Sequence, residues 1–188
     1  VHLNDLGKWD GTYWTWMSGS QRTNRPGSYG TKGVAALGNV PGARSSATSW
    51  TDPSGNLWLF GGSAYDPVTY SAEPLNDLWK WDGTTWTWMG GPSDRPRDPG
   101  HYGTKGVAAP ENLPPARRAA ASWVDSGGNL WLFGGYGYAG YLNDLWKWDG
   151  TNWAWIGGSS SIAAIGTYGT KGVAHPGNTP GARYGATV

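Results

Sequence analysis

The chain contains no cysteine, and this absence excludes several kinds of site at once. Without a thiol there is no disulfide, no thiolate metal site and no cysteine nucleophile. The three histidines, His2, His101 and His175, stand at unrelated places in the sequence, so their spacing does not converge on zinc or copper. The sequence therefore predicts no metal site and no cofactor.

The net charge is small, and long apolar runs are scarce. Lys and Arg number 14 against 13 Asp and Glu, and no basic block is present. We therefore expect no binding to a nucleic-acid backbone. The longest apolar runs, such as Leu-Trp-Leu-Phe at 57–60, are far shorter than the ~20 residues that cross a bilayer. We expect no membrane insertion.

Glycine, proline and aromatic residues are abundant. The 32 glycines and 13 prolines would by themselves indicate a disordered chain. The 15 tryptophans and 10 tyrosines contradict that interpretation. The composition is instead typical of a folded protein that is rich in turns.

Three motifs recur along the chain, at intervals of 66 to 73 residues. They are Leu-Asn-Asp at 3–5, 75–77 and 142–144, Tyr-Gly-Thr-Lys-Gly-Val-Ala at 29–35, 102–108 and 168–174, and Pro-(Gly/Pro)-Ala-Arg at 41–44, 114–117 and 180–183. A fixed period of this kind indicates a repeat architecture.

Each repeat is predicted to hold four short strands. The first two, at 43–50 and 56–62, flank an Asp-Pro-Ser-Gly turn, and the last two flank Asp82-Gly83, a dipeptide suited to a tight hairpin. In the fourth strand Trp86 and Trp88 alternate with threonines, which is the period of a strand buried on one face. No helical pattern competes, so the sequence predicts an all-β fold.

Several features in a fixed order resemble Kelch repeats of the galactose-oxidase type. They are the Gly-Gly pairs at 61–62 and 134–135, the Asn-Asp-Leu-Trp at 76–79 and 143–146, and the Trp…Trp spacing at 81–86 and 148–153. The resemblance implies a β-propeller of four-stranded antiparallel blades, in which most of the tryptophan fills the space between blades.

The predicted blades do not complete a propeller. Residues 1–17 match the third and fourth strands of a blade, 43–89 and 116–156 match complete blades, and 182–188 match one first strand. Propellers typically have about 4 to 8 blades. We therefore expect a segment of a longer protein or, alternatively, an oligomer in which chains complete one another's blades.

The long connections between blades carry the first candidate binding residues. From the repeated Tyr to the repeated Arg is fifteen residues in every copy, which indicates an ordered segment. The tyrosines and lysines could form a ring of donors for anionic or hydroxyl-rich ligands; the candidates are Tyr29, Lys32, Tyr102, Lys105, Tyr168 and Lys171. The alternative is that each tyrosine packs on a neighbouring blade and each lysine is a solvated turn residue.

The repeated arginines Arg44, Arg117 and Arg183 begin the predicted innermost strands. There a guanidinium could bind a ligand carboxylate. Equally, each arginine could pair with an aspartate of an Asn-Asp dipeptide, and those aspartates are Asp5, Asp77 and Asp144. Both roles remain open at the level of sequence.

A second group of candidates lies after the second strand of each repeat, where tyrosine is frequent. These residues are Tyr65, Tyr70, Tyr136, Tyr138 and Tyr141. The leading hypothesis is a non-enzymatic extracellular or cell-surface scaffold that binds a protein partner or further copies of itself through its loops and open blade edges.

Two alternatives are a lectin-like carbohydrate-binding propeller and a propeller enzyme of the mutarotase or epimerase kind. The copper radical oxidase among Kelch-type propellers requires a cysteine cross-linked to tyrosine, which this chain lacks. No residue is predicted to be catalytic, since every repeated aspartate has a turn or cap explanation.

Overall fold

The computed structural model describes residues 1–66, 70–93 and 96–187, and these form an all-β fold of three antiparallel sheets. The first sheet contains β1 (Leu6–Trp9) and β2 (Trp14–Ser18). The second contains β3 (Arg44–Ser45), β4 (Thr48–Thr51), β5 (Leu57–Asp66), β6 (Ser71–Trp81) and β7 (Trp86–Gly90). The third contains β8 (Ala108–Ala109), β9 (Arg117–Arg118), β10 (Ala121–Val124), β11 (Leu130–Gly137), β12 (Tyr141–Trp148) and β13 (Trp153–Gly157). The all-β prediction is confirmed.

The second and third sheets share one topology. In the second sheet β5, β6 and β7 follow one another as antiparallel neighbours, and β3 and β4 both pair with β5. The first strand is split in two because Ser46 adopts a positive φ of 52°. In the third sheet the break between β9 and β10 falls at Ala119, with φ 51°. The short β8 adds an edge strand next to β13.

The tryptophans of these two sheets form aromatic clusters, as the sequence predicts. Trp79 and Trp146 have no exposed surface, and Trp58 and Trp153 are also buried. One core joins the two sheets, since Phe60 of the second sheet packs edge-on against Trp153 of the third at 5.4 Å. Indoles thus fill the space between successive sheets.

The first sheet departs from this expectation. Trp9, Trp14 and Trp16 remain 49%, 73% and 58% exposed. The equivalent indoles are covered from both sides, by a neighbouring sheet and by a loop, whereas no described residue covers the outer side of β1 and β2 in that way. Burial of these three side chains is therefore not a property of the strand sequence alone.

The same backbone bond recurs between successive repeats at the break of the first strand. The amide of Ala119 donates to the carbonyl of Ser46 at 2.9 Å, and the amide of Gly185 donates to the carbonyl of Ala119 at 2.8 Å. Residues 46, 119 and 185 occupy one position of the repeat. Successive copies of the repeat therefore make the same backbone contact with one another. In the described parts of the chain, no helix is long and apolar enough to cross a membrane.

Candidate functional site

A buried charge cluster lies where the loop before the second sheet meets β6. Arg44 clamps Asp77 with two charge-assisted bonds, Nη1 to Oδ1 and Nη2 to Oδ2, both 2.7 Å. Oδ2 also accepts the Tyr29 hydroxyl at 2.8 Å and the Trp79 indole N–H at 2.7 Å. Arg44 Nη1 further donates to the carbonyl of Gly61 at 2.9 Å. One carboxylate thus ties the loop to the sheet.

The third sheet repeats the cluster atom for atom. Arg117 binds both oxygens of Asp144 at 2.6 Å. The Tyr102 hydroxyl and the Trp146 indole N–H donate to Oδ2 at 2.7 and 2.8 Å. Arg117 Nη1 also donates to the carbonyl of Gly134 at 2.9 Å. Of the two roles that the sequence left open for Arg44 and Arg117, the structure shows pairing with the aspartates of the Asn-Asp dipeptides.

These clusters have fixed protonation states at neutral pH. Burial alone would raise the pKa of Asp77, but the charge of Arg44 and the hydrogen bonds from Arg44, Trp79 and Tyr29 outweigh it and hold that pKa below its usual value. Burial, and then the charge of Asp77, raises the pKa of the Tyr29 hydroxyl. A carboxylate that stays ionised and a phenol that stays protonated supply structure rather than acid–base chemistry.

The repeated loop segments form what we call arms: the first arm is residues 29–40, the second 102–113 and the third 168–179. The first arm lies along β7 of the sheet that follows it. The amide of Gly33 donates to the carbonyl of Trp88 at 2.8 Å. The side-chain amide of Asn39 donates to the carbonyl of Trp86 at 3.1 Å. The Tyr29 ring completes the contact against Trp79, 4.8 Å between centroids.

The second arm docks in the same way on β13. Gly106 donates to the carbonyl of Trp155 at 2.7 Å, and Asn112 donates to the carbonyl of Trp153 at 2.9 Å. Lys105 Nζ lies 4.3 Å from the Trp155 ring centroid and donates to the Gly158 carbonyl at 3.0 Å. Lys32 and Lys171 at the equivalent positions are exposed.

The third arm is open. Tyr168 is 66% exposed, and its hydroxyl accepts a bond from Arg183 Nη2 at 3.3 Å. Among the described residues, Arg183 has no carboxylate partner, and neither Gly172 nor Asn178 donates to a sheet strand. The tyrosine and arginine of the repeat are therefore partly or fully buried in two copies and exposed in the third.

The remaining tyrosine candidates lie at the end of the sheets where the hairpins after β5 and β11 meet the long loops. There a cavity of about 460 Å³ is lined by Tyr65 together with Asn24, Arg25 and the carboxylates of Asp66 and Glu73. We call this end of the molecule the loop face. Tyr70, in the hairpin between β5 and β6, is 80% exposed.

An ion pair and a cation–π contact link the second and third sheets on the loop face. Glu73 accepts two bonds from Arg97, from Nε and Nη2, both at 2.5 Å. The Arg97 guanidinium lies 4.5 Å from the centroid of the Tyr138 ring. Arg97 thus contacts one of the predicted tyrosine positions, Tyr138, which is the repeat equivalent of Tyr65.

A tyrosine cluster stands beside that contact. The Tyr141 and Tyr184 rings stack 5.4 Å apart at 19°, and Tyr136 meets Tyr141 edge-on at 5.2 Å. Arg118 covers Tyr136 at 5.0 Å. Tyr141 and Tyr184 are 43% and 59% exposed. The cluster therefore presents aromatic faces with a cation next to them.

Sequence reasoning missed Tyr184 and the asparagines of the arms. Tyr184 stands at a position that differs in every copy, since the residue after the repeated Arg is Ser45 in the first copy and Arg118 in the second. Asn39 and Asn112 stand seven residues after the lysine of their arm, and Asn178 does so in the third. Both signals were present in the sequence.

No known protein family matches the sequence, and no curated protein matches it. Within residues 1–66, 70–93 and 96–187, no group of three or more His, Asp or Glu side chains is placed to hold a metal ion.

Proposed function

We propose that this chain is part of a Kelch-type β-propeller that acts as a binding scaffold for a protein partner, with its loop face and open sheet edges as the interacting surfaces. The proposal includes an extracellular or cell-surface location. The single observation that carries it is the repetition of the contacts between successive sheets.

Two kinds of bond between successive repeats recur at equivalent positions. Besides the amide bonds at the break of the first strand, the side-chain amide of Asn4 donates to the carbonyl of Pro41 at 3.0 Å. Asn76 and Asn143 do the same to Pro114 and Pro180, at 3.1 and 3.0 Å. If each four-stranded unit is related to the next mainly by the same rotation, repeating that rotation closes the units into a ring.

The ring geometry can be tested by spin-label distances, because the chain has no native cysteine to interfere. Thr12, Thr84 and Thr151 follow the Asp-Gly of equivalent hairpins, and all three are exposed. The pairs 12/84, 84/151 and 12/151 would be converted to cysteine and labelled.

A propeller of about 4 to 8 blades predicts that the 12/151 distance is about 1.4 to 1.85 times the distance between adjacent labels. A linear stack predicts a ratio of about two. A ratio near two would reject the propeller, whatever the chain binds.

A second candidate function, carbohydrate binding, is favoured by the stacked pair Tyr141–Tyr184. Exposed aromatic faces offer a flat apolar platform, and Arg118 beside them supplies donors for hydroxyl or carboxylate groups. The loop-face cavity beside Tyr65 is lined by Asn24 and Asp66, whose side chains offer polar contacts of the kind that fix a sugar's orientation.

The carbohydrate candidate is tested by calorimetric titration with cello-oligosaccharides and with oligogalacturonides. Binding that weakens about tenfold in Tyr184→Ala supports it. Tyr13→Ala is the matched control, since Tyr13 is 72% exposed but lies in the turn between β1 and β2. No binding of either sugar class, or equal loss in both variants, rejects this candidate and leaves the protein-binding proposal in place.

A further inference from the structure

A cavity of about 300 Å³ lies at the junction of the second and third sheets; we call it the junction cavity. Its walls come from the first arm, the end of β7, the second arm and the hairpin between β12 and β13. Both sheets are present, so these walls do not depend on where the sequence begins or ends. The volume is at the lower end of small-molecule sites, which are about 300–1,000 Å³.

The lysine of the first arm departs from the pattern of the second arm. Lys105 lies over the Trp155 ring and donates to the carbonyl of Gly158. Lys32 stands at the equivalent position but makes neither contact, and it lines the junction cavity instead. Among the described residues it has no ion-pair partner. All three donors of its ammonium group are therefore available to a ligand.

Two further departures from the repeat line the same cavity. Glu111 stands where the other two arms have Gly38 and Gly177. Asn152 stands where the second sheet has Thr85, whose hydroxyl is bonded within its own turn. Within the described parts of the chain, the side chains of Glu111 and Asn152 make no hydrogen bond or ion pair. Repeat-breaking polar groups thus converge on one cavity.

A buried indole without an acceptor forms another wall. Trp148 is 5% exposed, and its Nε1 has no hydrogen-bond partner among the described residues. On the same two strands, Trp146 and Trp155 donate their indole N–H groups to Asp144 and Gly157. Buried donors are rarely left unpaired. Since Trp148 lines the junction cavity, a ligand bound there meets this indole.

The remaining walls are largely apolar. Met89, Leu113 and Trp153 contribute side chains to the lining. An apolar wall with a few polar groups is typical of a site that holds a small molecule in one orientation. The cavity therefore suits a ligand with a polar head and a small apolar body.

We propose that the junction cavity binds a small zwitterion of the α-amino-acid class with an apolar side chain. Its carboxylate pairs with Lys32, its ammonium group pairs with Glu111, and its side chain packs against Met89 and Leu113. Lys32 and Glu111 line one cavity without pairing with each other, so a ligand that carries both charges satisfies each of them. A neutral sugar would leave both charges without a counter-ion.

This site goes beyond the proposed scaffold function and requires only the second and third sheets. It lies beside the turn that follows Trp148, at the opposite end of β12 from Tyr141 and the loop face. The spin-label ratio and the partner-binding surfaces are therefore tested independently of it.

The test is a titration of the full chain with L-leucine, followed by ¹⁵N–¹H NMR of the tryptophan indole groups. The Trp148 indole peak is expected to shift and to reach saturation, because the ligand fills the cavity that this ring lines. The Trp9 indole, on the first sheet, is the internal control and is expected not to move.

Two analogues of leucine identify which charge each residue binds. 3-Methylbutylamine lacks the carboxylate and 4-methylpentanoate lacks the ammonium group, and each is expected to bind the wild type about threefold more weakly than leucine. In Lys32→Gln, leucine should no longer bind better than the amine. In Glu111→Gln, leucine should no longer bind better than 4-methylpentanoate. Each variant removes the partner of the group that the analogue lacks.

Lys8→Gln is the matched control, since Lys8 is exposed but lies on β1, outside the cavity. It is expected to bind leucine like the wild type, and far-UV circular dichroism of each variant checks its folding. Glu111→Gly, which introduces the residue of the other two arms, is expected to weaken leucine binding as Glu111→Gln does.

Three results would overturn the assignment. One is a Trp148 peak that does not shift with leucine, valine or phenylalanine up to their solubility limits. Another is equal weakening of leucine binding in Lys8→Gln and Lys32→Gln. The third is a saturable shift with glucose or cellobiose but not with amino acids, which would assign the cavity to a neutral hydroxyl-rich ligand.

Discussion

At the scale of single residues, the buried Arg–Asp pair is the feature that most constrains the sequence. Arg117 and Asp144 have no exposed side-chain surface. Each oxygen of the carboxylate is bonded, and the tyrosine and indole donors complete the set. A buried pair of this kind is costly to break from one side, since the remaining charge stays buried without a partner.

We expect Asp144→Asn to lower the free energy of unfolding by about 3–5 kcal/mol, because Arg117 is left uncompensated. Asp5→Asn is the matched control, as it changes the equivalent residue without a bound arginine. It is expected to cost about 0.5 kcal/mol or less. Urea denaturation at a concentration where the chain is a monomer measures both, and equal losses would contradict the assignment.

The carboxylate of Asp125, in the turn between β10 and β11, makes the stability of the fold depend on pH. Hydrogen bonds to Asp125 from the Trp131 indole, then from the Asn129 side chain and backbone amides, lower its pKa from 3.8 to about 2. Between those values the unfolded chain binds more protons than the folded one, so acid favours unfolding. This contribution to stability is fully present above pH 3.8 and is lost as the pH falls toward about 2.

We expect Asp125→Asn to remove part of the pH dependence in that window. The measurement is the urea midpoint of wild type and variant at several pH values between about 5 and 2. The two stability curves should converge as the pH falls. A difference that stays constant over the range would show that Asp125 does not titrate differently in the two states.

At the scale of elements, the Gly-Gly pairs allow the segment that carries the next repeated arginine to approach the previous sheet. Gly134 has φ 61°, and a Cβ there would lie 2.8 Å from the Arg183 carbonyl and 3.0 Å from that of Leu142. Both the backbone conformation and the close contact therefore require glycine.

Gly134→Ala is expected to destabilise the chain more than Gly106→Ala. Gly106 has φ 84° with nothing within 4 Å of a built Cβ, so alanine there costs only the left-handed conformation, about 1–2 kcal/mol. At position 134 the clash with two carbonyls adds to that cost. Thermal unfolding of both variants tests this, and a similar loss in the two would show that the neighbouring strand can move away.

At the scale of the whole molecule, the two edges differ in what they expose. The first sheet presents three exposed indoles, and the third arm presents Tyr168. Large exposed aromatic surfaces are unusual in monomers. We expect acrylamide to quench the fluorescence of Trp9, Trp14 and Trp16 in dilute solution.

The sequence by itself determined the all-β fold and the strand pairs, because these depend on local chemistry. Alternation around Trp86 and Trp88 and the Asp-Gly turn specify a hairpin without reference to distant residues. The repeat also placed arginine, tyrosine and aspartate in register, although it left open whether the arginines pair within the fold or bind a ligand.

Only the tertiary structure decided which role each copy takes. Tyr102 is partly buried and Tyr168 exposed although both begin the same heptapeptide, because burial depends on whether a sheet lies beside the arm. Likewise Glu73 meets Arg97, and Tyr141 meets Tyr184, across long sequence separations. Such contacts follow from how whole sheets are arranged, and that arrangement is not encoded in the spacing of any one motif.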